Sequence, residues 1–328
     1  MSTIPKYSII IPVYNRPDEL LELLDSLTRQ TFKNFEVIVV DDGSQVTSRE
    51  VYERYVLKLS IRYFFKPNSG PGPSRNFGFE HALGLYLVMF DSDCIVPDDY
   101  FDWVEKYLEK YQFDAWGGPD RGHETFTSLQ RAMAFTMSSF LTTGGIRGGG
   151  NQAAVFQPRS FNMGVNRTVW EHTGGFRFDR SAEDIEWSIR IRRAGFKVRL
   201  IPEAFVYHKR RTDFAQFFQQ VRQFGNGRAQ VGKVYPAEVK PTHWFPAIFL
   251  TGLIAIPFLL FVVPAWGELA VLLLTVYLMA IFTDSLIKTQ SVEVAFLSIP
   301  SSIIQLCGYG IGFLQGMLSG RRALQQVK

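Results

Sequence analysis

Residues 35–44, FEVIVVDDGS, and residues 85–93, LYLVMFDSD, follow one plan: a short apolar run stops abruptly at closely spaced acids. Runs of this length, rich in Val, Ile and Phe, read as strands buried on both faces, as in a parallel sheet covered by helices. Working outward, residues 7–13 (YSIIIPV) and 61–65 (IRYFF) supply two more strands. Segments 20–28, 51–59 and 75–82 are the helices between them, with Pro17, Asp18 and Glu19 suited to a first helical turn. The alternation predicts an α/β fold with a mainly parallel central sheet. In an open sheet of this kind the carboxyl ends of the strands border the ligand crevice, where Asp41, Asp42, Asp91 and Asp93 all fall. No GxGxxG follows the first strand and no GxxxxGK[ST] occurs, so neither a standard dinucleotide fold nor a P-loop is expected.

The chain has 328 residues, 46% of them hydrophobic, with 35 Lys+Arg against 31 Asp+Glu. Its mean hydropathy of zero is high for a soluble enzyme. This composition excludes a disordered chain and a collagen-like fibre. Cys94 and Cys307 make neither a disulfide framework nor a cysteine-based zinc site. The opening residues are too polar for a signal peptide, which places the N-terminus in the cytosol as an expectation. Charge is unevenly spread: residues 190–240 hold twelve Lys or Arg and three acids. Three apolar stretches follow, 244–267, 269–287 (interrupted by Asp284) and 294–320. The first and third meet the roughly 20 residues that a membrane-crossing helix needs, and the second does so if Asp284 faces a neighbouring helix or lies near an interface. Trp244 and Trp266 flank the first, where amphipathic rings favour the headgroup layer. Three spans would put Arg321, Arg322 and Lys328 on the far side, against the positive-inside tendency, whereas two spans plus an interfacial segment would return them. Gly308, Gly310, Gly312 and Gly316 suit close helix packing or a broken helix. The expected organisation is an α/β domain over 1–212, a basic juxtamembrane segment over 213–243, and a membrane region over 244–320 with two to three helices.

Asp91 and Asp93 lie two apart on a chain leaving a strand, so both carboxylates can approach one hard cation, or form an ordinary acidic loop. His208, in FVYHKRR, can complete such a shell through a ring nitrogen. Glu183 and Asp184 open an amphipathic helix that suits Gly195 near its end; they either stabilise the helix start or present a base to the site. Arg75 follows the compact turn 70–74 and can reach a phosphate or cap the turn. Residues 146–152 (IRGGGNQ) and 161–165 (FNMGV) read as polar, glycine-rich loops, the first a candidate cover for substrate.

The motifs in order, from YSIIIPVYNRPDELLELLDSLTRQTFKNFEVIVVDDGS through NSGPGPSRNFG, LVMFDSDCIVPDDY and FNMGVNRTVWEHTGGFRFDRSAEDIEWSIRIRRAG to residues 202–208, resemble the family 2 glycosyltransferases of GT-A fold. The resemblance covers roughly residues 5–210. It implies that the loop from Pro12 through Tyr14 to Arg16, with Asp41 and Asp42, holds the nucleotide base and ribose, Asp41 being the base-facing acid. It implies that Arg75 lies near the diphosphate, that Asp91 is nearer the ribose, and that Asp93 is the more direct ligand of Mn2+ or Mg2+, completed by His208. Asp184 matches the general base, with Glu183, Asn162, Gly164 and Arg222 in the vicinity of acceptor and donor sugar. The mechanism so implied is one inverting displacement without an enzyme nucleophile.

Two departures qualify the resemblance. Processive synthases carry Q-x-x-R-W, and here Gln219 and Arg222 keep the spacing while Gln223 stands where Trp belongs. No apolar span precedes the α/β region in this sequence. The leading expectation is a multi-pass protein of the cell inner membrane, its catalytic domain in the cytosol. It moves one sugar from a nucleotide sugar, a UDP-sugar foremost, to a lipid-linked acceptor. A polyprenyl-phosphate sugar synthase, a short processive synthase and a non-catalytic scaffold are the alternatives. The basic run 190–240 is expected to meet membrane or lipid phosphate and not nucleic acid, because apolar spans follow it directly.

Overall fold

The computed structural model describes residues 4–122, 126–144, 156–209 and 211–320. They divide into two compact units, one of residues 4–122 with 156–209 and one of 126–144 with 211–320. The expectation of one continuous domain over 1–212 does not anticipate this excursion.

The first unit runs β1 (Tyr7–Val13), α1 (Pro17–Thr28), β2 (Phe35–Asp41), α2 (Arg49–Glu53), β3 (Ile61–Phe65), α3 (Pro71–His81), β4 (Tyr86–Phe90), β5 (Cys94–Ile95), α4 (Tyr100–Lys110), β6 (Ala115–Gly117) and β7 (Asp120–Arg121). After the excursion it resumes with β8 (Asn162–Asn166), α7 (Arg167–Thr173), α8 (Glu183–Arg193), β9 (Val198–Leu200) and β10 (Val206–His208). Seven strands form one sheet in the order β3-β2-β1-β4-β8-β6-β9, and β5-β10-β7 form a second, small sheet. The large sheet is parallel except for β8, which opposes both neighbours. With Ile9 opposite Val37 and Ile10 opposite Ile38, alternate residues feed two cores. Ile9, Ile11, Val37 and Val39 pack with Leu20, Leu24, Phe101 and Val104, while Ile10, Ile38, Leu87 and Met89 pack with Phe79, Val169 and Trp187. Burial on both faces is why these strands carry no polar alternation.

Two local readings need correction. The helix expected over 51–59 stops at Glu53, and hydrogen-bonded turns continue the chain. Residues 161–165 are not a loop: Asn162–Asn166 is β8, in the middle of the sheet. Its polarity misleads because the Asn162 amide is matched at both ends. Asn162 accepts a hydrogen bond from the Tyr100 hydroxyl at 2.7 Å and donates to the Ala204 carbonyl at 2.8 Å. Gly164 is needed for space, since a Cβ there would lie 2.1 Å from Cζ2 of Trp116.

The second unit consists of α5 (Ser128–Ser138), α6 (Phe140–Thr143), α9 (Phe214–Val234), α10 (Phe245–Val262), α11 (Pro264–Thr289) and α12 (Val292–Leu318). The last three are each long and apolar enough to cross a membrane. The α12 glycines serve packing and leave the helix continuous. Gly308, Gly312 and Gly316, spaced by four, recur on one face. Cβ atoms on them would come within 2.7 Å of Val221, 1.9 Å of the Arg222 carbonyl and 2.7 Å of Ala229 on α9. Gly225 answers from α9, where a Cβ would lie 2.1 Å from the Tyr309 carbonyl.

Overpacking at β8 gives a direct test of this account. Gly164→Ala is expected to lower stability by about 2 kcal/mol or more, because Trp116 has no free space to yield. Thermal unfolding followed by tryptophan fluorescence would reveal the loss, and an unchanged midpoint would contradict the packing described.

Candidate active site

The small sheet explains how residues distant in sequence meet. β5 directly follows Asp93, and its antiparallel pairing with β10 sets Cys94 opposite His208. His208 Nε2 thereby lies 3.1 Å from Asp93 Oδ1, and the Phe161 ring stacks on the imidazole at 4.7 Å. The Asp93 carbonyl accepts from the Lys209 amide at 3.1 Å, fixing the backbone as well. On the other side, Arg16 Nη1 reaches Asp93 Oδ2 at 3.1 Å and Glu19 at 2.8 Å. Burial, then the charges of Asp93 and Asp91, push the Cys94 thiol well above its ordinary range, so it stays protonated. Its Sγ, one carboxylate oxygen of Asp93 and a ring nitrogen of His208 lie within 4.8 Å of one another. The carboxylate and imidazole of this group are donors that fit a divalent cation such as Mn2+ or Mg2+.

Arg75, on α3 and 2% exposed, ties this acidic strand end to a second one. One guanidinium nitrogen is 2.5 Å from Asp91 Oδ1 and another 3.0 Å from Glu183 Oε1, above the Phe176 ring. Burial alone would lower the Arg75 pKa, but Asp91 and Glu183 outweigh it and the guanidinium is held charged. Glu183 is driven the other way: burial first, then the charge of Asp184, raise its carboxyl to about 7 despite Arg75. The two acids separate because α8 begins at a sharp corner, Ala182 adopting a left-handed φ of 60°. Glu183 faces Arg75, while Asp184 accepts from the Ile185 amide at 2.7 Å and the Ser160 amide at 3.4 Å, with Arg159 at 3.8 Å. The helix-start account of Asp184 thus holds for one oxygen, and the other is turned toward Ser160.

The strand-end loops are braced by the acids assigned to the nucleotide. Asp41 accepts from the amides of Ser44 and Ser48 and from the Tyr63 hydroxyl. Asp42 accepts from Lys66 and from the amides of Ser69 and Gly70. Pro12 lies within β1, and Tyr14 beyond it is 45% exposed. Asn15 was missed by the sequence reading. At φ 54° it accepts from the amides of Gln45 and Val46, joining the loops after β1 and β2. An Asn in a short loop before Arg-Pro was the available signal, since Asn tolerates that conformation. Arg159 and Ser160 were also missed, having no motif of their own.

Direct contacts thus join Arg75 to Asp91 and Glu183, and Asp93 to His208 and Arg16, while Asp184 contacts Ser160 and Arg159. Asn162 and Gly164 lie inside the sheet. Arg222 belongs to the second unit, where its Nε donates to Gln315 on α12 at 2.9 Å. The 146–152 segment lies outside the described residues.

Residues 8–170 match the family model described as Glycosyl transferase family 2. A glycosyltransferase of Rickettsia felis is 40% identical over 108 residues, 33% of this chain and 18% of the relative. The chain thus spans under a fifth of the length of that relative. Glycosyltransferase AglE of Haloferax volcanii is 26% identical over 252 residues, covering 70% of this chain and 75% of AglE. Among solved structures, the mannosyltransferase PcManGT from Pyrobaculum calidifontis, in complex with GDP-Man and Mn2+, aligns with TM-score 0.60 at 17% identity, covering 97% of this chain and 88% of that one. Staphylococcus aureus TarS 1-349 with UDP-GlcNAc aligns with TM-score 0.51 at 16% identity, covering 92% and 90%. At these identities the structural likeness establishes the GT-A-like fold.

The raised Glu183 carboxyl predicts a pH signature in metal-free, nucleotide-free protein. Its pKa of about 7 exceeds the ordinary 4.5, so the folded state holds this proton more tightly than the unfolded state. The stability this confers is complete below the lower value and is lost as pH rises through the higher. Across that window, wild type should lose stability relative to Glu183→Gln, whose side chain does not titrate. Unfolding midpoints of both proteins across the window measure it, and parallel curves would contradict the burial described.

Proposed function

The chain belongs to glycosyl transferase family 2 through its residues 8–170, and on that premise we propose an inverting, metal-dependent transferase of the cell inner membrane. It moves one sugar from a nucleotide sugar to a lipid-linked acceptor at the cytoplasmic face. The observation that carries the reading is the Arg75 bridge between Asp91 and Glu183, beside the Asp93–His208 pair. Paired acids and a buried guanidinium at strand ends suit a diphosphate and its counter-ion. A bound divalent cation would be held by Asp93 and His208 with Asp91 adjacent, and would supply neutralisation of the leaving diphosphate.

The chain's own residues do the rest. Arg75 keeps its charge and so can receive that developing on the diphosphate. Asp184, held through its backbone neighbours, takes the proton of the acceptor hydroxyl as that oxygen bonds to the anomeric carbon. The bond from that carbon to the diphosphate oxygen breaks on the opposite face, releasing the nucleoside diphosphate. Glu183 holds Arg75 and raises the negative potential around Asp184. Asp41, Asp42 and Asn15 keep the nucleotide-side loops in place, with Pro12, Tyr14 and Arg16 along the edge.

A second reading is a polyprenyl-phosphate sugar synthase, supported by the basic residues of 190–240. Its acceptor phosphate is already ionised, so it has no hydroxyl proton for Asp184 to remove. That difference separates the two. Purified protein is to be assayed with UDP- and GDP-sugars and Mn2+ or Mg2+, with lipid-linked sugar or with undecaprenyl phosphate. Under the main reading EDTA abolishes turnover and Asp184→Asn lowers kcat by about 100-fold or more. Transfer to bare lipid phosphate that survives Asp184→Asn would favour the second reading. Binding of neither nucleotide nor metal would overturn both.

A further inference from the structure

Contacts within the second unit fix the course of α12. Near the start of α11, a Cβ on Gly267 would lie 2.5 Å from Leu260 Cα on α10. Further along α11, the Tyr277 ring packs on Phe249 at 5.8 Å and Phe245 at 6.5 Å. These helices are therefore an antiparallel hairpin with its tip between Val262 and Pro264, and the start of α10 is level with Tyr277. Beyond that level α11 continues to Thr289. α12 sets out beside this extension: Phe296 packs on Phe282 at 5.0 Å, and the Ser285 and Ser298 hydroxyls are 2.8 Å apart. Its other half reaches the start of α10, where a Cβ on Gly310 would lie 2.6 Å from the Pro246 carbonyl and Phe313 packs edge-on to Trp244 at 5.0 Å. Both halves of α12 thus touch the same, open end of the hairpin. A third helix crossing alongside α10 and α11 would carry residues 310–313 toward the tip instead.

We infer that α10 and α11 alone cross the bilayer, and that α12 lies along the membrane surface at the hairpin's open end, leaving Leu318 on the same side as Ala237. This rests on the membrane reading proposed above. The dimensions agree, since the 18 residues of α10 make a helix about 27 Å long, close to the hydrocarbon thickness. The surfaces agree as well. Phe258, Phe261, Leu272 and Leu273 are 58–90% exposed apolar side chains on the hairpin, a surface suited to lipid tails. Half of the most apolar window of α12 is buried, against 11% in α10 and in α11. α12 gives its glycine face to α9, and Gln305 donates to the Thr136 carbonyl of α5 at 3.2 Å. Ser298, Ser301, Ser302 and Gln305 are all buried, so its polar side chains are kept from lipid by other helices.

Variants of the full chain, each with one added cysteine beside the buried Cys94, test the arrangement, and the background without the added cysteine is the control. In a Cys307→Ala background, Ala237→Cys, Val263→Cys and Leu318→Cys report the residues before α10, the hairpin tip and the end of α12. Each is exposed to a membrane-impermeant maleimide in sealed vesicles of either orientation. Ala237→Cys and Leu318→Cys are expected to label in the same orientation, with Val263→Cys lost from it and labelling in the opposite one. Labelling of Leu318→Cys with the tip would overturn the inference and indicate three spans. Labelling of all three from one side would overturn the hairpin. Recovery of the protein outside the membrane fraction would overturn the membrane reading itself, a result distinct from the other two. Met317→Cys repeats the measurement if Leu318→Cys fails to fold.

Discussion

The first unit depends on one buried cation. Arg75 has almost no contact with water, and a guanidinium in that position is tolerable only if anions take the place of its hydration. Asp91 does so from the end of β4, and the Glu183 carboxyl, raised to about 7, adds an acceptor from the start of α8. Neither acid is independent of the arginine. Without it, Asp91 and the Glu183–Asp184 pair would be like charges around a poorly solvated point.

The need for acceptors around Arg75 explains the unusual backbone at the start of α8. A left-handed alanine at position 182 costs about 1 kcal/mol or more and does not persist without compensation from its surroundings. The corner lets consecutive carboxylates face different partners, Arg75 for one and Ser160 with Arg159 for the other. Two adjacent acids in a regular first turn would instead share one environment. Burial and the neighbouring charge of Asp184 raise the Glu183 carboxyl, while Asp184 itself accepts from backbone amides.

Much of this was legible in the sequence because the strands announce themselves: Tyr7–Val13 and Ile61–Phe65 have the bounds read from their apolar runs. Asp91, Asp93, Asp184 and His208 were legible from motif order, which carries information that local patterning lacks. β8 was not. A strand containing two asparagines and a glycine looks like a loop until Trp116, Tyr100 and Ala204 are present to occupy its space and satisfy its amide. Asn15, Arg159 and Ser160 were hidden for a related reason: their partners are backbone amides of the loop after β2 and carboxylates at the start of α8. Likewise, the three apolar stretches at the end of the chain announced helices by length but left two or three open, and the role of the α12 glycines required the partner helix.

The pairing of β5 with β10 also sets an order of events. Asp93 leaves β4 early in the chain, but His208 arrives on the last strand of the first unit, after the excursion through α5 and α6. Contacts between such remote partners carry a loop-closure cost and tend to form late. During synthesis, therefore, the acidic strand ends and their bracing loops can be in place while the imidazole is still absent. The candidate cation site is completed only when the chain is about to enter its basic helix and apolar segments, so an N-terminal fragment ending before β10 lacks it whatever its stability.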